Sequence, residues 1–154
     1  MKRWLVRIVG LLLLLLAGAV ALAWTPDRDP SELRAKYADA HSQFVDLGEG
    51  LRVHVRDEGP RDAPVLVLLH GSNASLHTWD PWVRRLAGRY RVIRYDQPGH
   101  GLTGPHPRGD YRAEVFVDVL DRLTARLGVR RFVLAGNSVG GWVAWNYALA
   151  HPDR

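Results

Sequence analysis

The sequence predicts an α/β fold built on a mostly parallel sheet, and three observations carry that prediction. Short apolar runs recur in "PVLVLLHG", "RVIRYD" and "RFVLAGN", as in strands covered on both faces. Segments with apolar residues at helical spacing separate and follow these runs. An alternating hairpin precedes the whole set. Strands alternating with helices after a hairpin give a single layered sheet with crossover helices.

The N-terminus stands apart from this pattern. "MKRWLVR" is basic, and "IVGLLLLLLAGAVALAWTP", Ile8 to Pro26, holds no charge over nineteen residues. At about 1.5 Å per residue, that run is long enough to cross a hydrocarbon core of roughly 30 Å. It is apolar all round with no polar face, which argues against a core helix of the domain. Ala21-Leu22-Ala23 also suits signal peptidase, with cleavage after Ala23. Residues 1–26 therefore read as a signal anchor or a signal peptide, and the length favours an uncleaved anchor held in the membrane by residues 4–26. Either way, the basic end stays in the cytoplasm and the rest is extracytoplasmic or exported.

Residues 27–41 are polar and interrupted by proline, a spacer with a short helix from Ser31. Residues 42–154 form the predicted domain. "QFVDLGEGLRVHVRDEG" alternates on either side of Gly48-Glu49-Gly50, with Leu51, Val53 and Val55 inward. Arg52, His54 and Arg56 are expected on a wet face. Asp80-Pro81 reads as the N-cap and first turn of a helix that ends before Gly88. Phe116, Val119, Leu120, Leu123 and Leu127 follow helical spacing up to Gly128, and a last helix runs from Val139 to about Ala150.

Composition excludes some functions. The net charge is +5, but Lys2, Arg3 and Arg7 lie in the first seven residues; without them 18 basic residues face 16 acidic ones. The remaining arginines form no stripe, so nucleic acid is not an expected partner. Cysteine is absent, so disulfides say nothing of compartment.

Three loops leave the carboxyl ends of strands, where ligands bind in such sheets. In "LLHGSNASLHTW", Gly71 permits a sharp turn beside small residues whose backbone amides are suited to an oxyanion. "RYDQPGHGLTG" lacks the Lys-Ser/Thr of a phosphate-binding loop, and Asp96 reads as a structural carboxylate bonding the loop's amides. His100 and His106 lack partners at metal-ligand spacing, so neither a metal nor another cofactor is called for.

The third loop, Gly136-Asn137-Ser138-Val139-Gly140, is G-x-S-x-G between a strand and a helix. That context forces the serine into a strained turn and exposes its hydroxyl as a nucleophile. Gly136 and Gly140 are required because a Cβ there would strike the neighbouring strand or helix. The Val139 N–H, at the helix N-terminus, faces the oxyanion position.

From about His41 to Arg154 the chain resembles the N-terminal half of the α/β-hydrolase fold family. "LLHGS", Trp79, "YDQPGHGLT" and "GNSVGG" carry the resemblance, in family order. "GNSVGG" is also similar to the elbow of carbon–carbon bond hydrolases. The resemblance implies Ser138 as nucleophile and the Ser72 and Val139 amides as oxyanion hole, with Asn73 the second choice in its loop. A serine here argues against haloalkane dehalogenases and epoxide hydrolases, which carry aspartate at the elbow.

In this family the acid and the histidine that activate the serine follow it in the chain. Past Ser138, the sequence offers His151, Asp153 and Arg154. His151 ends the helix that Ser138 begins, about 20 Å away at 1.5 Å per residue, so it is not the base. The triad acid and histidine are therefore expected outside these residues, and the chain reads as the front portion of a longer hydrolase, cut after the elbow helix. The expected function is a membrane-anchored or exported serine hydrolase acting on an ester, thioester or carbon–carbon bond of a small molecule. The alternatives are a non-catalytic tethered module, an acyltransferase or a cofactor-free oxygenase of the same fold.

Overall fold

The computed structural model describes residues 2–154, which divide into two units, one reaching Glu32 and the other Leu33–Arg154. The first unit is dominated by helix α1, Lys2–Ala23. Its Arg3–Ala23 stretch, 21 residues of mean hydropathy 2.6, is long and apolar enough to cross a membrane, and none of it is buried. Helix α2, Pro30–Tyr37, begins at the proline rather than at Ser31. Asp29 caps it by accepting hydrogen bonds from the Ser31 N–H and hydroxyl.

The second unit holds a five-stranded sheet in the order β1-β2-β4-β3-β5. Strands β1, Ser42–Asp46, and β2, Arg52–Glu58, form the predicted antiparallel hairpin, with Ser42 opposite Arg56 and Asp46 opposite Arg52. Gly48, Glu49 and Gly50 all take positive φ at its turn. The strands with crossover helices are parallel: β3, Val65–Leu69, lies between β4, Arg91–Tyr95, and β5, Val133–Gly136. The hairpin adds the antiparallel side of the sheet, through β2 against β4.

Helices cover both faces, as the continuous apolar runs of β3 and β4 require. Helices α4, Ala113–Arg126, and α5, Val139–Ala150, pack Phe116, Leu120, Leu123 and Val143 against Val53, Val55, Val67 and Ile93. On the other face, α3, Asp80–Leu86, sets Val83 and the preceding Trp79 against Leu68 and Val92.

Two expectations are corrected. The wet face of β2 is dry: His54 and Arg56 are buried, and only Arg52 of the three is exposed. The spacer and the loop after β4 cover that face with polar groups. Arg56 pairs with Asp39 at 2.9 Å and donates to the Tyr37 carbonyl, while His54 meets Asp96 and Ser42. Alternation marks which residues share a face, not whether water reaches it. Asp80 does not cap α3, because buried Arg94 takes its carboxylate. Strand β5 is the sheet edge among the described residues, with Val133 63% exposed.

Candidate active site

The G-x-S-x-G turn joins β5 to α5 as a tight elbow. The Asn137 N–H donates to the Leu69 carbonyl of β3 at 3.0 Å, carrying the sheet ladder one residue past the strand. Ser138 then takes φ 52° and ψ −119°, a conformation that costs a residue with a Cβ about 1–3 kcal/mol. The chain turns straight into helix, with Gly140 N–H donating to Asn137 C=O and Trp142 N–H to Ser138 C=O.

The two glycines answer a packing need. A Cβ on Gly136 would lie 2.2 Å from the Gly140 backbone, and one on Gly140 would lie 2.3 Å from the Leu69 carbonyl. Neither overlap can be relieved without moving the helix off the sheet.

Gly71 brings the loop after β3 to the elbow: a Cβ there would sit 3.2 Å from both Ser138 Cβ and the Asn137 carbonyl. Ser72 follows on the exposed side, and Asn73 takes φ 53°. Neither the Ser72 nor the Val139 N–H donates to another protein group among the described residues. Val139 is the first residue of α5, where helical amides have no internal acceptor.

The rest of that loop is anchored at both ends. At the near end, His70 is fully buried; its Nδ1–H donates to the Gly71 carbonyl at 2.8 Å and its Nε2 accepts from the Gln97 N–H at 3.0 Å. Burial holds the His70 imidazole below its ordinary pKa, so the ring is neutral at pH 7. At the far end, Leu76 opens a 3-10 turn, Leu76–Trp79. Its N–H donates to Asp96 at 2.8 Å and its carbonyl accepts from Arg94 at 3.0 Å.

Asp96 is a structural carboxylate, as its loop context predicts, with more partners than its own loop supplies. It accepts from Leu102 N–H at 2.8 Å, from Leu76 N–H across the sheet end, and from His54 Nδ1 at 2.7 Å. Burial by itself would raise its pKa; the His54, Leu76 and Leu102 hydrogen bonds outweigh that and hold it below the usual carboxylate value.

The other histidines hydrogen-bond to groups other than Ser138 among the described residues. His100 Nδ1 meets the Pro98 carbonyl at 3.1 Å, and His106 Nδ1 accepts from the Arg108 and Asp110 amides at 3.4 Å. His151 caps the far end of α5 and stacks on Tyr147 at 4.6 Å. Sequence reasoning missed His54 and Gln97. Nothing in the alternation of β2 marks His54 as buried, and Gln97 differs from an ordinary loop residue only through its contacts.

A family profile described as alpha/beta hydrolase fold matches residues 64–154. The 2-hydroxy-6-oxononadienedioate/2-hydroxy-6-oxononatrienedioate hydrolase of Paraburkholderia phymatum is 40% identical over 127 residues, 75% of this chain and 42% of that protein. Epoxide hydrolase 3 of Xenopus tropicalis is 30% identical over 135 residues, 86% of this chain and 37% of that protein. The solved structure of a membrane phospholipase A, described as a bacterial virulence factor, matches with TM-score 0.70 at 31% identity. That match covers 99% of this chain and 49% of the phospholipase. The chain thus spans less than half the length of each of these proteins, all of them hydrolases by name. With the profile covering most of its second unit and the same sheet and elbow in place, the chain belongs to the alpha/beta hydrolase fold family.

Proposed function

We propose that this chain carries the nucleophile and oxyanion hole of a membrane-tethered serine hydrolase that cleaves acyl esters of lipids. The observation that carries the reading is Ser138 itself: positive φ, glycines two residues to either side, and two uncommitted amides, Ser72 and Val139, beside it. Ser138 Oγ attacks the acyl carbon and the carbonyl oxygen becomes an oxyanion, which accepts hydrogen bonds from the two amides. The serine proton passes to a general base, and the collapsing intermediate expels the alcohol and leaves an acyl-serine that water cleaves. Each amide donor is worth roughly 10²–10³ in rate where such donors have been removed from other hydrolases.

Two features support a lipid ester over other substrates. Helix α1 is suited to hold the domain at a bilayer. The membrane phospholipase A matches nearly the whole chain, including that helix, whereas the carbon–carbon bond hydrolase covers 75% of it. A serine at position 138 also sets the chain's chemistry apart from that expected of its epoxide hydrolase relatives. The test is a fluorophosphonate probe, with membrane fractions of the gene's full product and of Ser138→Ala. Labelling of the first alone supports the reading; equal labelling of both removes Ser138 as nucleophile. Faster turnover of long-chain than of short-chain esters supports the lipid assignment.

A second reading, a tethered module without catalysis, is favoured by one observation. Among the described residues, no histidine nitrogen bonds to the Ser138 hydroxyl. A gene product that folds and leaves the probe unreacted would establish it.

A further inference from the structure

Behind the elbow loops runs a chain of side chains that the proposed chemistry does not use. Ser42 Oγ lies 2.8 Å from His54 Nε2, and His54 Nδ1 lies 2.7 Å from Asp96 Oδ2. This serine–histidine–aspartate order matches that of a hydrolytic triad, but the three groups do other work. Ser42 is held by the Asp39 N–H at 3.2 Å, and the His54 ring is sealed from solvent and stacked on Phe44 at 5.0 Å. Thr103 ties the same two strands together, its hydroxyl accepting from the His54 N–H and donating to the Asp96 carbonyl.

The outlet of this chain is the second oxygen of Asp96, which holds the Leu76 N–H. Leu76 is four residues beyond Ser72, and the intervening loop is pinned at its start by His70 and Gln97. Leu76 and His70 thus anchor the two ends of the segment that presents the Ser72 peptide. The geometry points to His54 as a positioning residue: by fixing the Asp96 carboxylate it sets the place of the Leu76 amide, and so of the Ser72 N–H offered to the oxyanion. This rests on the serine-hydrolase reading above. The aspartate needs its histidine because Oδ2 is shared between His54 and Leu102. Without the imidazole proton, Oδ2 keeps only the Leu102 N–H, and the carboxylate is held less firmly in the orientation that aims Oδ1 at Leu76.

The experiment is the kinetics of Ser138 phosphonylation by a fluorophosphonate, in the full product of the gene, for three changes at His54. In that step the Ser138 Oγ–phosphorus bond forms, fluoride leaves with the electrons of its bond, and the hydroxyl proton goes to the base. The phosphoryl oxygen takes the place of the oxyanion, so the maximal rate reports on the Ser72 amide, while the half-saturating probe concentration reports on binding. His54→Phe removes both hydrogen bonds, and His54→Gln reaches toward Ser42 but not Asp96. His54→Asn places an amide donor close to the position of Nδ1. We expect the first two to lower the maximal rate by about tenfold to a hundredfold, the range for small misplacements of a catalytic group. Half-saturation should stay unchanged, and the asparagine should restore the rate to within about threefold of wild type. Should the phenylalanine variant not fold, the glutamine variant, of similar volume and polar, carries the comparison. A labelled wild type with unchanged maximal rates in the variants overturns the role of His54 alone. So does a glutamine variant slowed no more than the asparagine one. An unlabelled wild type overturns the serine-hydrolase reading, and this inference with it.

Discussion

Gln97 grips His70 twice: its backbone N–H donates to the ring at 3.0 Å, and its side-chain amide donates to the His70 carbonyl at 2.7 Å. The remaining oxygen of that amide, Oε1, is buried with no hydrogen-bond partner among the described residues. Replacing Gln97 with leucine removes the orphaned Oε1 but leaves the buried His70 carbonyl without its donor, so the expected loss is about 1–2 kcal/mol. Gln97→Glu replaces the donor with a second acceptor, facing a carbonyl in a dry site, and should cost about 3 kcal/mol or more. Denaturant midpoints of the two variants give the comparison, and a glutamate variant as stable as the leucine one would contradict this account.

The elbow predicts opposite effects for two small changes. Gly140→Ala places a methyl 2.3 Å from the Leu69 carbonyl and should cost about 3 kcal/mol or more. Ser138→Gly relieves a positive φ and should raise stability by about 1 kcal/mol while abolishing probe labelling. Gly88→Ala, with open space around it, is the control and should be near neutral. Thermal melts rank the three.

Arg94 is 2% exposed at its side chain and serves Glu58 at 2.9 Å, Asp80 and the Leu76 carbonyl. Arg94→Met leaves Glu58 without its cation and Asp80 with only the longer contact to Arg56 at 3.8 Å. Both carboxylates are partly exposed, which moderates the cost to about 3 kcal/mol. Lysine at this position supplies the charge without the fork and should recover less than half. Equal midpoints for the methionine variant and wild type would show that the network contributes nothing net.

Acid should destabilise the second unit in two steps. Burial depresses His70 below 6.5, so as pH falls through 6.5 the unfolded chain takes up a proton that the folded one refuses. Stability declines from there. Asp80, despite burial, is held low by Arg94, and Asp96, despite burial, by His54 and two amides. Their contribution is complete above about 3.8, the ordinary carboxylate value, and is lost as pH falls through their lower folded values. Midpoints measured from pH 8 to pH 3 should show both declines, and His70→Asn should erase the upper one only.

The elements read most directly from sequence are those set by local rules. The β3 run, the helix stop at Gly128 and the elbow each depend on residues within a few positions of one another, and each lies where expected. Gly128 takes φ 69°, which a side chain would resist. His54, Arg56 and Asp80 were misread because their partners are far away along the chain. Arg94 is 14 residues from Asp80, and Asp96 is 42 from His54. A capping carboxylate and a wet strand face are local readings, and a buried guanidinium or carboxylate overrides both at small distance.

The close approach of Gly71 to Ser138 has a mechanical consequence. A methyl in place of the glycine's hydrogen would meet Ser138 Cβ and the Asn137 carbonyl at 3.2 Å, tighter than ordinary contact. Glycine at 71 is therefore a clearance: any side chain there would press the loop after β3 away from the elbow and carry the Ser72 peptide outward with it.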